Sequence, residues 1–210
     1  MRYPIPKSGS IKHIIHLSDI HIRTGNPEKS RKLEYYNKIE NLQHCLQEEP
    51  AIQNSTAIII VSGDIFENKN RIESTGIKIY KKFIKVLTDL APTYVILGNH
   101  DYEQHQPDAP DMIDSLSYGD TNPNFCYLNK TGCIELGNIG FGLVHIKEIL
   151  KNGHTAGQVD KLPSFPNQFS DKVTVKIALC HGTIKNTTLQ NYSNATDGLP
   201  LEWFEDYNLI

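Results

Sequence analysis

An α/β protein organised on a parallel sheet is what this sequence predicts, and three observations carry the prediction. Short β-branched apolar runs stand at 11–17, 57–61 and 93–97. Two helix-length segments, 31–49 and 72–90, alternate with them. A strand–helix–strand–helix–strand order implies parallel strands joined by right-handed crossovers.

Each element has a local reason. Residues 11–17 are short, β-branched and apolar, which reads as a buried strand. A polar loop with Gly25, Asn26 and Pro27 follows. The helix over 31–49 places Leu33, Tyr36, Ile39, Leu42 and Leu46 on a rough apolar stripe, and Pro50 is expected to stop it. Residues 57–61 form the second buried strand. The helix over 72–90 carries Ile77, Tyr80, Ile84 and Leu87 on one face and closes at Pro92. Residues 93–97 form the third buried strand.

The second half changes character. A short helix is expected within 107–117. Segments 124–128, 132–136 and 139–146 are short and punctuated by Gly and Asn, which suggests an antiparallel meander. Segment 147–170, with Gly153, Gly157, Pro163 and Pro166, reads as a long loop of the kind that is often functional. A buried strand is expected at 173–179, a helical turn at 201–206, and the beginning of a strand at 207–210.

Bulk properties narrow the function classes. A net charge of −3 gives no basic footprint of a nucleic-acid binder, although bound divalent cations would reverse the charge locally. No run approaches the roughly 18–20 apolar residues of a membrane span. The first ten residues hold no apolar signal segment. Cys45, Cys126, Cys133 and Cys180 form no paired ligand motif and read as reduced thiols, so the expected location is intracellular, cytoplasmic or nuclear.

The chemistry is concentrated at the strand ends. The first strand runs into Ser18-Asp19-Ile20-His21, the second into Ser62-Gly63-Asp64 and the third into Gly98-Asn99-His100-Asp101. A later strand runs into Cys180-His181-Gly182. In open α/β sheets, ligands bind beyond the carboxyl ends of the strands. Carboxylate, amide and imidazole donors suit manganese, zinc or iron. Asp64 can bridge two ions, with Asp19 and His21 on one side and Asn99 and His181 on the other. Two ions so placed can activate a water and stabilise both oxygens of an in-line displacement at phosphorus. Gly63 and Gly98 are expected to permit sharp exits from their strands.

Other polar residues have plainer readings. Asp101 is expected to hydrogen-bond backbone or His100. His16 reads as a core or supporting histidine, His13, His44 and His154 as surface groups, and His145 as a strand residue. His105 stands close enough after the third motif to approach a substrate. Trp203-Phe204 reads as a core anchor rather than a base-stacking platform.

Taken together, Asp19-Ile-His21, Gly63-Asp64 and Gly98-Asn99-His100-Asp101 resemble the signature of the calcineurin-like metallophosphoesterase superfamily over about residues 11–210, with 1–10 as an N-terminal extension. The stretches 16–21, 61–66 and 95–101 look most like the SbcD-type nucleases of double-strand-break repair. The resemblance implies a four-layer α/β/β/α sandwich and two divalent metal ions, often manganese. Its ligands would be Asp19, His21, Asp64, Asn99 and His181. His100 would be the general acid or transition-state stabiliser. The family's closing Gly-x-His-x-His motif and the SbcD-type capping domain have no counterpart here. The catalytic domain is therefore expected to be truncated at its C-terminus, with weakened metal affinity.

The function so implied is metal-dependent hydrolysis of phosphodiesters, with DNA as substrate and an SbcC-type ATPase as partner. Two alternatives stand beside it. One is a phosphatase or nucleotide or cyclic-nucleotide phosphodiesterase of the same fold. The other is a non-catalytic scaffold.

Overall fold

The computed structural model describes residues 3–23, 31–68, 72–103, 106, 108–119, 121–147, 165–187 and 199–210. The expected loop residues Gly25, Asn26 and Pro27, the histidines His105 and His154, and most of the 147–170 loop lie outside the described residues. The chain divides into two units. One comprises Met1–Glu103 and Pro110–Leu128, the other Gln104–Ala109 and Asn129–Ile210.

The first unit has the predicted α/β architecture. Its strands β1 (His13–Leu17), β2 (Ala57–Ser62), β3 (Thr93–Ile96) and β4 (Phe125–Tyr127) lie side by side in chain order, every pair parallel. Between them run α1 (Lys32–Glu48), α2 (Pro50–Gln53), α3 (Ser74–Leu90) and α4 (Met112–Ser117). All residues of β2 and β3 are buried, as expected for central strands flanked on both sides. The helix face formed by Ile79, Tyr80, Phe83 and Leu87 is buried too. The Phe66 and Tyr80 rings stand 5.4 Å apart.

Four expectations need correction here. The strand at 11–17 is not buried: β1 is an edge strand with His13 and His16 exposed. Pro50 does not merely stop a helix. Glu49 turns extended, and Pro50 opens the short α2 from its first position, where a missing N–H costs nothing. On α1 the buried residues are Tyr35, Ile39 and Leu46, while Leu33 is exposed. Tyr36 instead faces cations, with Lys82 Nζ 4.8 Å from its ring centre. Finally, the segment 124–128 belongs to no antiparallel meander, because β4 extends the parallel sheet beside β3.

The N-terminal extension is tied to this unit. The Tyr94 hydroxyl donates to the Pro4 carbonyl, and the Ser8 hydroxyl to that of Ser55. The short helix expected within 107–117 is α4, and the Asp111 side chain caps it by accepting from the Asp114 N–H at 2.7 Å.

The second unit carries β5 (Gly132–Leu136) and β6 (Ile139–Leu143) as an antiparallel hairpin, with β7 (Val175–Leu179) parallel to β6. Val144, Ala178, Leu199 and Phe204 form a buried cluster, and Trp203 packs against it. The anchoring reading of Trp203-Phe204 therefore holds. Residues 207–210 lie along β7: the Asn208 N–H donates to Lys176 O and the Ala178 N–H to Leu209 O, both at 2.8 Å. Among the described residues, no helix is long and apolar enough to cross a membrane.

All four cysteines are free thiols. Cys45 is exposed, whereas burial pushes the Cys126 and Cys180 thiols up to about 11. The thiolate is the nucleophile. Iodoacetamide near neutral pH is therefore expected to alkylate Cys45 in the native chain, and Cys126 and Cys180 only after denaturation. Peptide mass spectrometry of both states checks this, and native alkylation of Cys126 would contradict it.

Candidate metal centre

Backbone pairing continues beyond the ends of β1 and β2, and this places the first two motifs side by side. The Asp19 N–H donates to Gly63 O at 3.2 Å, the His21 N–H to Asp64 O at 3.0 Å and the Ile22 N–H to Ile65 O at 2.8 Å. Ile22 and Phe66 close the run as a parallel bridge. Asp19, His21 and Asp64 are thereby neighbours in register.

Their backbone is unusual. Asp19, His21 and Asp64 have φ of 56°, 48° and 52°, and Gly63 has 85°. Left-handed backbone is uncommon outside glycine, although Asp and His adopt it more readily than most residues, and such conformations gather where a site imposes them. Gly63 is thus the sharp exit that was expected. Gly98 is needed for a different reason, namely space. A Cβ there would lie 2.1 Å from Asp64 N and 2.2 Å from Asp64 Oδ1. The third motif therefore presses its backbone directly on the Asp64 carboxylate.

Asp101 holds that contact together. It is fully buried, its Oδ1 accepts the Phe66 N–H at 2.9 Å, and its Oδ2 accepts the Gly98 N–H at 3.0 Å. One carboxylate thus ties the third motif to the second. This is the backbone role expected of Asp101.

The donor geometry follows. His21 Nε2 lies 3.5 Å from Asp19 Oδ1 and 3.8 Å from Asp64 Oδ2. One donor atom from each of the three lies within 4.8 Å of the others. Nitrogen and oxygen donors sit about 2.0–2.2 Å from a divalent ion such as zinc. Two donors on one ion are then roughly 3–3.6 Å apart by simple geometry. The two His21 spacings lie within a few tenths of an ångström of that range, and all three donor atoms lie within 4.8 Å of one another. Asp64 is buried and Asp19 largely exposed, so the group has one inner and one solvent-facing carboxylate. Asp19 Oδ2 accepts the Ser18 hydroxyl.

His100 joins this group from the third motif. Its N–H donates to Asp64 Oδ1 at 2.9 Å, and its ring meets that of His21 edge-on with centres 5.1 Å apart. His100 Nδ1 lies 2.8 Å from the Glu67 carbonyl. A carbonyl can only accept, so Nδ1 carries the proton and Nε2 is the nitrogen left for exchange. Asn99 is half-buried in the same turn, between Gly98 and His100, both of which touch Asp64. His181 is half-buried beyond the carboxyl end of β7, in the second unit. Of the other histidines, His16 Nε2 pairs with Ser62 Oγ at 2.9 Å and His13 Nδ1 with Thr56 Oγ1 at 3.2 Å, whereas His145, expected within a strand, lies buried just past the end of β6, where its N–H donates to Thr131 Oγ1 at 2.9 Å.

Two residues that the sequence reading did not single out belong to the site. Glu67 places Oε2 2.9 Å from His21 Nδ1, off the axis of a regular hydrogen bond, and Oε1 3.3 Å from an Arg23 guanidinium nitrogen. A carboxylate behind a ligating imidazole orients the ring and raises its basicity. Its position three residues after Asp64, in the same loop, was the available signal. Tyr35 is the other. The spacing Tyr35, Ile39, Leu42, Leu46 fits a helical stripe better than one through Tyr36. A cavity of about 380 Å³ adjoins Asp19 and His21 and is lined also by Arg23, Tyr35, Lys38 and Phe83.

Fold and donors together define a class: an α/β protein whose carboxylates and imidazoles converge beyond the carboxyl ends of parallel strands. Comparison with known proteins makes this particular. A profile of the calcineurin-like phosphoesterase family matches residues 12–209, and the chain belongs to that family. Members of the family generally bind two divalent metal ions, and the donor set above is of the right chemistry. The chain is 31% identical over 205 residues to protein R555 of Acanthamoeba polyphaga mimivirus, whose name assigns no activity. It is 27% identical over 107 residues to 244L of Invertebrate iridescent virus 6, named as a candidate phosphoesterase. The matches cover 95% and 50% of this chain, but only 14% and 36% of those relatives. The names of these viral relatives carry no SbcD-type designation.

Proposed function

We propose that this chain is the catalytic part, over residues 11–210, of a metal-dependent phosphodiesterase that acts on DNA as a repair-type nuclease. The observation that carries the proposal is the convergence of Asp19, His21 and Asp64 on one point, from left-handed backbone held in register. Asn99 and His181 complete the ligand set in this reading, and manganese is the ion. Two such ions, when bound, polarise the phosphoryl oxygens and lower the pKa of a water.

The chain's own groups do the rest. Asp19, His21 and Asp64 orient the charge, and Glu67 holds the His21 ring. His100, with Nδ1–H committed to the Glu67 carbonyl, offers Nε2 to the phosphate oxygen or leaving group. The DNA assignment rests on the SbcD-like wording of the three motifs, with an SbcC-type ATPase as the partner that wording implies.

A phosphatase or nucleotide phosphodiesterase is the second reading, favoured by the net charge of −3. The test is to offer single- and double-stranded DNA, bis(p-nitrophenyl) phosphate and p-nitrophenyl phosphate with manganese. Cleavage of DNA and of the diester is expected. Cleavage of the monoester alone would overturn the nuclease reading in favour of a phosphatase.

A further inference from the structure

We infer that Tyr35 is a positioning residue of the metal centre, its hydroxyl locking the backbone that presents His21. The inference rests on the metal-site reading above. Tyr35 stands in the first turns of α1 and is 9% exposed. Its hydroxyl donates to the carbonyl of His21 and accepts the N–H of Arg23 at 3.0 Å. A hydroxyl has one donor and two acceptor sites, so a single side chain serves both groups at once.

Those two groups are the ones that the neighbouring loop leaves out. The N–H groups of His21 and Ile22 go to Asp64 O and Ile65 O, and the carbonyl of Ile22 accepts from the Glu67 N–H at 3.3 Å. The next groups in line, His21 O and Arg23 N–H, turn to the helix side and find Tyr35. Segment 21–23 is thus clamped from both sides, by the second motif's backbone and by one phenol.

The clamp acts where backbone is least willing to stay. His21 has φ of 48°, in the left-handed region that is uncommon for residues other than glycine and gathers at functional sites. Once the hydroxyl is gone, His21 O and Arg23 N–H need new partners. The peptide plane between His21 and Ile22 then keeps only its Ile22 N–H bond to Ile65 O, and the imidazole is held less firmly at its distance to Asp19 and Asp64. Ring packing is untouched, because phenylalanine fills the same space. The lesion is one of geometry and not of core volume.

Tyr35→Phe in the full chain tests this, with Tyr36→Phe as the neighbouring control and His21→Ala as the reference for the site itself. Manganese affinity is read by calorimetry and ligand geometry by the visible spectrum of the cobalt-loaded protein. Thermal melting of the metal-free chain shows whether the fold persists. Tyr35→Phe is expected to weaken manganese binding about 10–100-fold, the usual effect of losing a group that orients a ligand, and to alter the cobalt bands. Tyr36→Phe should do neither. If His21→Ala loses the ion while Tyr35→Phe keeps wild-type affinity and cobalt spectrum, the inference is overturned, whatever happens to the melting temperature. If His21→Ala itself binds manganese like the wild type, the reading of the site falls and the Tyr35 role falls with it.

Discussion

Asp64→Asn is expected to cut phosphodiester hydrolysis by about a thousandfold while leaving the metal-free fold intact. Metal polarisation at phosphorus is worth several kcal/mol, and each 1.4 kcal/mol or so is tenfold in rate. Asp64 is the buried carboxylate of the donor group, with Oδ2 3.8 Å from His21 Nε2. Asparagine has nearly the same shape, and its Oδ1 can still accept the His100 N–H. The change therefore removes charge and a donor oxygen without opening a cavity. The check has two arms. Without metal, variant and wild type should melt alike. With manganese at about a hundred times its dissociation constant, the wild type should gain about 2.7 kcal/mol and the variant far less. Equal metal stabilisation of both proteins would remove Asp64 from the centre.

Gly98→Ala is the second large effect, and it acts through space rather than charge. The new Cβ would meet Asp64 N at 2.1 Å and Asp64 Oδ1 at 2.2 Å. A backbone nitrogen tied into the pairing of two loops cannot swing aside as a flexible side chain can. Overpacking typically costs about 1–3 kcal/mol and occasionally more, and a clash with backbone belongs at the upper end. About 3 kcal/mol corresponds to a fall of roughly 6–12 °C in melting temperature for a chain of this size. The same push separates the third motif from Asp64, so manganese affinity should fall too. A Gly98→Ala protein with wild-type melting and metal affinity would show that this approach is not close in solution.

Much of this arrangement was legible in the residues. The β-branched runs predicted β1, β2, β3 and β7, and the polar clusters after them predicted which loops carry donors. What was not legible depends on tertiary context. β4 is three residues long, too short for a period to show whether it pairs in a hairpin or across the sheet. The edge position of β1 depends on which strands lie beside it, not on its own composition. Tyr35 and Tyr36 are adjacent, and a helix stripe drawn one residue off picks the wrong ring.

Glu67 follows the same logic. It stands in a polar stretch that resembles any solvated loop, and only the pairing of 19–22 with 63–66 brings its carboxylate to His21. The need for Gly98 was anticipated, but for the wrong cause. Glycine signals either a special φ or a close approach, and the sequence does not distinguish them. His181 was legible as a strand-end histidine, and it does lie just past β7.

The central claim is that Asp19, His21 and Asp64 form the heart of a two-ion centre. Electron paramagnetic resonance of the manganese-loaded chain tests it most directly. Two manganese ions about 3.5–4 Å apart are magnetically coupled, so a multiline spectrum of a coupled pair is expected as the second equivalent binds, and it should vanish in Asp64→Asn. The six-line spectrum of isolated manganese at every ratio, unchanged by Asp64→Asn, would contradict it.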